Sequence, residues 1–400
     1  IIQNNTARDG GGIGFMGHGF TGVVSNSIIS GNHADLGGGG IKAELTGDLW
    51  IRNTQIDDNE ANEGGGLWSR SWTELSNVEI TNNSAVYYGG FYSNTIGSSN
   101  TSRTSNEWTN VEVSRNSASN EDGGGRFEKS GGSNSFKLIN ALIVDNSSNT
   151  YPGIVFSGYD GNKIGIINST IYNNIGSNSD ASGKNNIGIW DNTVVRLLNS
   201  IVGRSGGTNG YAFYGFNCGT QYIMADASSV IEGGANSIYD NPCGSNETKL
   251  SISGALTSGV YFTDAPNGDY SLANVSGLIG QGLASNNLSF SAEGITGALL
   301  TAPTLDLFGT IRPNPAGSNP DIGAIENPLD TPQVGIAIIA DNNGFCQSNS
   351  GSITANLLNY SGSATYAWSS TTYPTWTWNS TQTASGLSSG DYKVVASDAT

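Results

Sequence analysis

The sequence predicts an all-β chain: a right-handed parallel β-helix followed by an immunoglobulin-like β-sandwich. Three observations carry this expectation. The first is composition: 57 of 400 residues are Gly and 47 are Asn. Gly is costly inside a helix and Asn competes for backbone hydrogen bonds, so such a chain is built from turns and short strands. The second is an internal repeat over residues 1–203. The third is a new strand pattern after the Pro-punctuated linker 327–332.

The repeat is anchored on Asn26, Asn53, Asn77, Asn110, Asn140, Asn168 and Asn199, spaced 27, 24, 33, 30, 28 and 31 residues apart. Two residues before each anchor stands Val24, Ile51, Leu75, Trp108, Leu138, Ile166 or Leu197. Three residues after stands Ile29, Ile56, Ile80, Val113, Ile143, Ile171 or Val202. Six residues after comes a second Asn: Asn32, Asn59, Asn83, Asn116, Asn146 or Asn174. Asn5 matches this column ahead of the first full unit, with Ile2 and Ala7 in step. Glycine runs such as 10–12, 37–40, 64–66 and 123–125 follow and lead into an apolar residue.

A two-residue step is the strand period, so the residue at −2 and the anchor Asn are both expected to face inward. The step of three that follows implies a bend. One unit cannot bury its own apolar side, so units must stack, each strand parallel to its equivalent about 4.8 Å away. Stacked Asn amides donate to one coil and accept from the next, so two internal Asn columns are expected to be structural. Glycines are expected to supply left-handed corners. The hand follows the general preference of parallel crossovers. About seven to eight coils are expected, with an open first coil whose edge would pair with further chain; the sequence reads as a piece of a longer protein.

The runs Asn168-Ser169-Thr170-Ile171-Tyr172-Asn173-Asn174 and Gly37-Gly38-Gly39-Gly40-Ile41 resemble the right-handed β-helix repeats of bacterial surface proteins. Polymorphic outer-membrane adhesins and large secreted proteins of gliding bacteria carry similar repeats. Three later runs resemble the closing coils of such proteins: Tyr261 to Leu272, Leu305 to Arg312, and Pro320 to Glu326. The resemblance implies that residues 204–326 are irregular final coils with a C-terminal cap. A cap is also needed to cover the last apolar rung.

Residues 333–400 alternate as short strands separated by turns, the pattern of an Ig-like sandwich. Cys346, Tyr366-x-Trp368, Gly386-Leu387-x-x-Gly390-Asp391-Tyr392 and Ser397-Asp398-Ala399 resemble the repeat of the giant gliding-motility adhesin. That resemblance implies export by type IX secretion, and a partner for Cys346 beyond residue 400. Cys218 and Cys243 lie 25 residues apart and are free to pair with each other.

The charge of 16 − 33 = −17 argues against nucleic acid and anionic membranes as partners. No apolar run is long enough for a membrane-spanning helix. No His–Cys spacing, Gly-x-Ser-x-Gly or P-loop is present, His18 and His33 are isolated, and no cofactor is implied. The charge is compatible with calcium, but no ligand loop supports it.

β-Helices host polysaccharide lyases and glycosidases. Asp57, Asp58 and Asp145 are the best acid candidates, yet Asp58 and Asp145 are three coils, about 14 Å, apart. Paired catalytic carboxylates stand roughly 5–9.5 Å apart. Trp68, Trp72, Tyr87, Tyr88 and Tyr92 are expected in the turns of adjacent coils, where they either stack on glycan, anchor a partner, or pack loop on loop. The position before the anchor changes from Ser25, Arg52, Ser76 and Thr109 to Ile139, Ile167 and Leu198. That apolar stripe needs a cover, either the segment 203–326 folded back or a neighbouring chain.

The sequence thus predicts an extracellular structural or adhesive segment of a cell-surface protein. It would act as a rigid rod, alone or assembled into a multi-chain filament or appendage, touching further copies or segments of itself, a target-cell surface or glycan. A carbohydrate-active enzyme or carbohydrate-binding module is the alternative.

Overall fold

The computed structural model describes residues 1–17, 19–45, 47–96, 105–130, 135–158, 163–179, 183, 185–190, 193–205, 210–217, 222–226, 228–242, 249–253, 256, 262–274, 276–286, 300–329, 333–339, 351–358, 364–379 and 381–398. Cys218, Cys243, Cys346 and His18 lie outside the described residues.

The repeat forms a parallel β-solenoid of about seven regular turns, built from sheets of 13, 7 and 9 strands. The first sheet stacks long strands such as Gly22–Ser30, Asp48–Asp57, Trp72–Thr81, Ser105–Ser114 and Ser135–Val144. The second stacks short strands such as Glu60–Glu63 and Ser84–Tyr87. The third stacks Ile41–Leu45, Leu67–Ser69, Phe91–Ile96, Gly125–Ser130 and Ile154–Gly158. Register follows the repeat closely: Val24 pairs Ile51, Leu75 pairs Ile51, and Leu75 pairs Trp108.

Three left-handed corners shape the regular coils up to Tyr151. The first is the anchor Asn itself, with φ of 49° at Asn26, 48° at Asn53 and 54° at Asn77. The second is the residue five further on, including Gly31, Asp58, Asn82, Arg115, Asp145 and Asn173, all with positive φ. The third is Gly10, Gly38, Gly64, Tyr88, Asp122 or Tyr151. Asn and Asp reach this backbone region at lower cost than other side chains bearing a Cβ.

The anchor corner corrects the expected side of the first Asn column. The left-handed residue moves the phase, so the inward residues are those at −2, +1 and +3. Thr54, Val78 and Val111 at +1 are buried, whereas Asn26, Asn53 and Asn77 are exposed. The column is a true ladder, with Nδ2 of Asn53, Asn77 and Asn110 donating to the preceding Oδ1 at 3.2, 3.0 and 2.8 Å. It runs along the outside of the solenoid.

The second column is the internal one. Asn59 donates its backbone N–H and its Nδ2 to Asn83 Oδ1, both at 3.0 Å, and a second Nδ2–H to the Ile29 carbonyl at 2.9 Å. The same triple bond pattern recurs at Asn32, Asn83, Asn116 and Asn146. Asn174 passes the ladder to Asn186, which stands in the third sheet twelve residues later. Asn186 completes the column where Ser205 occupies the expected Asn position. Its Nδ2 donates to the Gly203 carbonyl at 2.7 Å. Between the sheets lie Ile29, Ile56, Ile80, Phe91, Trp108, Phe127 and Phe156, a continuous apolar file.

The glycine runs do two jobs. In the runs 10–12, 37–40 and 64–66 the left-handed glycine is Gly10, Gly38 or Gly64. The two after it have no such φ and instead let adjacent coils approach: a Cβ on Gly39 would stand 2.4 Å from the Gly65 carbonyl oxygen.

Coiling continues beyond residue 203, with Tyr211–Asn217 and Tyr222–Asp226 adding to the third and first sheets. The described contacts of residues 262–327 then fall on the flank of the solenoid. Ile322, Leu278 and Ile279 pack with Ile201 and Val230, and Leu300 packs on Ile167 and Leu198. The apolar stripe is therefore covered by the chain itself. After the linker come two three-stranded antiparallel sheets, 333–339 with 351–358 and 383–387, and 364–370 with 377–379 and 392–398. They share a small core of Ala355, Trp368, Ala384 and Leu387.

Candidate functional site

The outer face of the third sheet concentrates the aromatic and charged residues. Its outward side chains form one file through successive coils, Lys42, Trp68, Tyr92 and Arg126, continued by Val155, Gly188, Tyr214 and Tyr239. Strand alternation places them there, because Ile41, Leu67 and Phe91 beside them point inward. Trp68 and Tyr92 thus lie in strands, not turns, and both are buried. Their centroids are 5.8 Å apart, and Tyr88 from the third corner leans over Tyr92 at 4.7 Å.

Polar ends are satisfied along this file. Trp68 Nε1 donates to Glu63 at 3.0 Å, and Tyr92 Oη donates to Glu128 at 2.9 Å while accepting from Asn94. Burial, outweighing the Asn94 hydrogen bond, pushes the Tyr92 hydroxyl up to about 12. Trp72 opens a strand of the first sheet, where it is buried and bonded to Glu74. Tyr87 packs on Tyr88. Trp68, Trp72 and Tyr92 accordingly offer no open ring face for a sugar; only Tyr87 and Tyr88 stay half-buried. The observed arrangement is mutual packing.

Arg126 is the centre of the charged part. Its guanidinium lies 5.2 Å from the Tyr88 ring and 4.3 Å from the Trp190 ring. Its Nε donates to Asp122 at 2.5 Å, and Nη2 to Glu121 at 3.2 Å. Burial works against the guanidinium charge, but Asp122, Tyr88 and Glu121 together outweigh it and the Arg126 pKa rises. Burial pushes the fully enclosed Asp122 carboxyl up to about 7 against the pull of Arg126. Asp122 Oδ1 has no hydrogen-bond partner among the described residues.

A second enclosed ionic group sits in the flank segment. Arg312 and Glu326, both without side-chain exposure, meet at 3.0 Å. Arg312 also donates to the carbonyls of Asp321, Gly323 and Ala324. Asp321 accepts backbone N–H groups from Gly280 and Asn327, and Asp306 accepts from Phe308, Thr310 and Glu326. This network ties the runs 305–312 and 320–326 into one clasp. Burial, then Glu326, push Asp321 up to about 7.

Both carboxyls are raised, so the folded chain keeps protons that the unfolded chain has released. Their stabilising contribution is full below the unfolded value near 3.8 and is lost as pH rises through about 7. The melting temperature is expected to fall between pH 4 and 8, less steeply in Asp122→Asn and Asp321→Asn. Calorimetry across that range checks it; a slope in the variants equal to that of the unsubstituted chain would refute the assignment.

The acid candidates are not brought together. Asp58 is an exposed corner, Asp57 accepts from Thr81 and Asn82, and Asp145 accepts from Asn173 and Tyr270. The structure instead sets Glu79 directly beside Glu112 in register, near Asp57. Burial, then Glu112 and Asp57, raise the Glu79 pKa. Both Glu stand two residues after an anchor, a signal present in the sequence and missed there. Among the described residues no three His, Cys, Asp or Glu converge as a metal-binding group. Among the described residues no helix is long and apolar enough to cross a membrane. No family model, curated protein or solved structure matches the chain.

Proposed function

We propose that this chain is an extracellular structural and adhesive segment of a cell-surface protein, a stiff rod that presents its long outer faces to a target. The observation that carries the reading is the bonded Asn column from Asn5 to Asn174, which locks successive coils with side-chain as well as backbone bonds. A rod of this kind resists bending because each coil is held at both of its faces. The finer reading is a right-handed β-helix followed by an Ig-like sandwich of the gliding-adhesin type. The two antiparallel sheets with a shared core support the latter. In this reading the protein works by contact, without cofactor or membrane insertion, and is exported by type IX secretion.

Beads coated with the chain are expected to stay attached under flow to glass and to polysaccharide-coated slides, more than beads coated with serum albumin. Absence of retention would count against the reading. So would release of new reducing or unsaturated sugar ends that disappears on Glu79→Gln, Asp57→Asn, Asp58→Asn or Asp145→Asn, which would establish an enzyme.

A further inference from the structure

The outer Asn ladder is half covered and half open, and the covered half shows what it binds. On the covered half each anchor amide holds a main-chain carbonyl of the flank segment. Asn140 Nδ2 donates to Leu305 O at 2.7 Å, Asn168 Nδ2 to Asp321 O at 3.2 Å, and Asn199 Nδ2 to Leu283 O at 2.7 Å. Leu283 N–H returns a bond to Asn199 Oδ1 at 2.8 Å, and Gly323 N–H donates to the Asn199 carbonyl. Side chains match as well: the apolar residues before these anchors, Ile139, Ile167 and Leu198, meet Leu300.

The open half is the direct continuation of that interface. Asn140 donates its other N–H to Asn110 Oδ1, and the ladder runs on through Asn77 and Asn53 to Asn26. Asn53, Asn77 and Asn110 each spend one N–H along the ladder and have a second to give, while Asn26 ends the ladder as an acceptor. The residues before the anchors are here polar: Ser25, Arg52, Ser76 and Thr109. The strands Gly22–Ser30, Asp48–Asp57, Trp72–Thr81 and Ser105–Ser114 hold Asp48, Asp57, Glu74, Glu79, Glu107 and Glu112 against one base, Arg52. Lys137 pairs Glu107 and Arg115 reaches Glu112, which leaves Glu79 facing Glu112 and Asp57. At the border, the hairpin bonded to Asn140 exposes Phe308 and Ile311.

We infer that the open ladder, Asn26 to Asn110, docks an extended, basic polypeptide segment of another protein. Its carbonyls take the Asn N–H groups as the flank segment does, and its Lys or Arg side chains meet Glu79 and Glu112. A second copy of this chain is disfavoured, since two such acidic faces repel. The inference rests on the adhesive reading and names the chemistry of the partner. Bead retention without peptide binding would overturn it and leave that reading in place.

The test is fluorescence anisotropy on the full chain with two labelled peptides of equal length, one alternating Lys and Thr, the other Glu and Thr. The Lys peptide is expected to bind at least about tenfold tighter, with an affinity that falls as salt rises. The double variant Asn77→Gly with Asn110→Gly keeps a residue suited to positive φ but removes two donors, and is expected to weaken binding about tenfold. Should that variant fail to fold, Ser76→Arg with Thr109→Arg adds two positive charges at outward positions beside Glu79 and Glu112 and is expected to weaken binding of the Lys peptide about tenfold. Unchanged binding in the folded Gly variant, or in the Arg variant, would overturn the inference, as would binding of neutral oligosaccharides with no preference between the peptides.

Discussion

Asn83→Ala is expected to destabilise the solenoid by about 3–5 kcal/mol, read as a shift in the urea midpoint. Asn83 is fully buried. Its Oδ1 accepts from the backbone N–H and the Nδ2 of Asn59, and its Nδ2 serves the Ile56 carbonyl and Asn116 Oδ1. Alanine strips the two Asn59 donors and the Ile56 carbonyl of their Asn83 partner beside the apolar core of Ile56, Ile80 and Val113, while Asn116 Oδ1 keeps the backbone N–H of residue 83. Each orphaned group costs about 1–3 kcal/mol. The damage lands on both adjoining coils, because each coil depends on its nearest neighbours. The matched control is Asn77→Ala on the outer ladder. There water replaces the lost bonds, and the chief cost is a non-glycine, non-Asn residue at φ 54°, about 1–2 kcal/mol. Equal losses for the two variants would show that the inner column has no special weight.

Gly65→Ala is expected to prevent the chain from accumulating in folded form. Gly65 has no left-handed φ, so the obstacle is space. The new Cβ would stand 2.5 Å from the carbonyl oxygens of both Gly89 and Ser84. Both are backbone atoms of the next coil and cannot swing aside. The coils would have to part, at the expense of bonds such as Gly65 N–H to Tyr88 O at 3.1 Å and Gly66 N–H to Gly90 O at 3.0 Å. Overpacking in a rigid core costs about 1–3 kcal/mol where neighbours can shift, and more where they cannot. Gly14→Ala is the contrast, since a Cβ there meets nothing within 4 Å. It is expected to be neutral or mildly stabilising through the unfolded state. Soluble yield and melting temperature of the two variants decide the matter: a Gly65→Ala protein that folds like Gly14→Ala would remove the close-approach account.

The sequence placed Trp68 and Tyr92 in adjacent coils but in turns; their common strand file, and the entry of Arg126 and Trp190 into it, escaped the linear pattern. Trp68 and Tyr92 are 24 residues apart and become neighbours only because Phe91 pairs Leu67. Arg126 enters the same file one coil on, and Trp190 reaches it from further still. Asn186 is another case. It completes a column defined by a spacing it does not share, since the route of the chain after Asn174 brings it to the same place.

What the sequence by itself determined is the stacking and its register. Side chains that must find the same environment in every coil recur at matched positions, and Val24 over Ile51 or Asn59 over Asn83 follows from that recurrence alone. The spacing also showed where the chain bends. What only the tertiary structure decided is which residue makes the bend, and hence which Asn column faces the core. A single left-handed residue shifts the inward set by one, from the anchor to its neighbour, and no count of spacings distinguishes a bend at the anchor from a bend just after it. The cover on Ile139, Ile167 and Leu198 was likewise decided in three dimensions. An apolar stripe demands burial, but the partner is chosen by where residues 262–327 run once the coils are built.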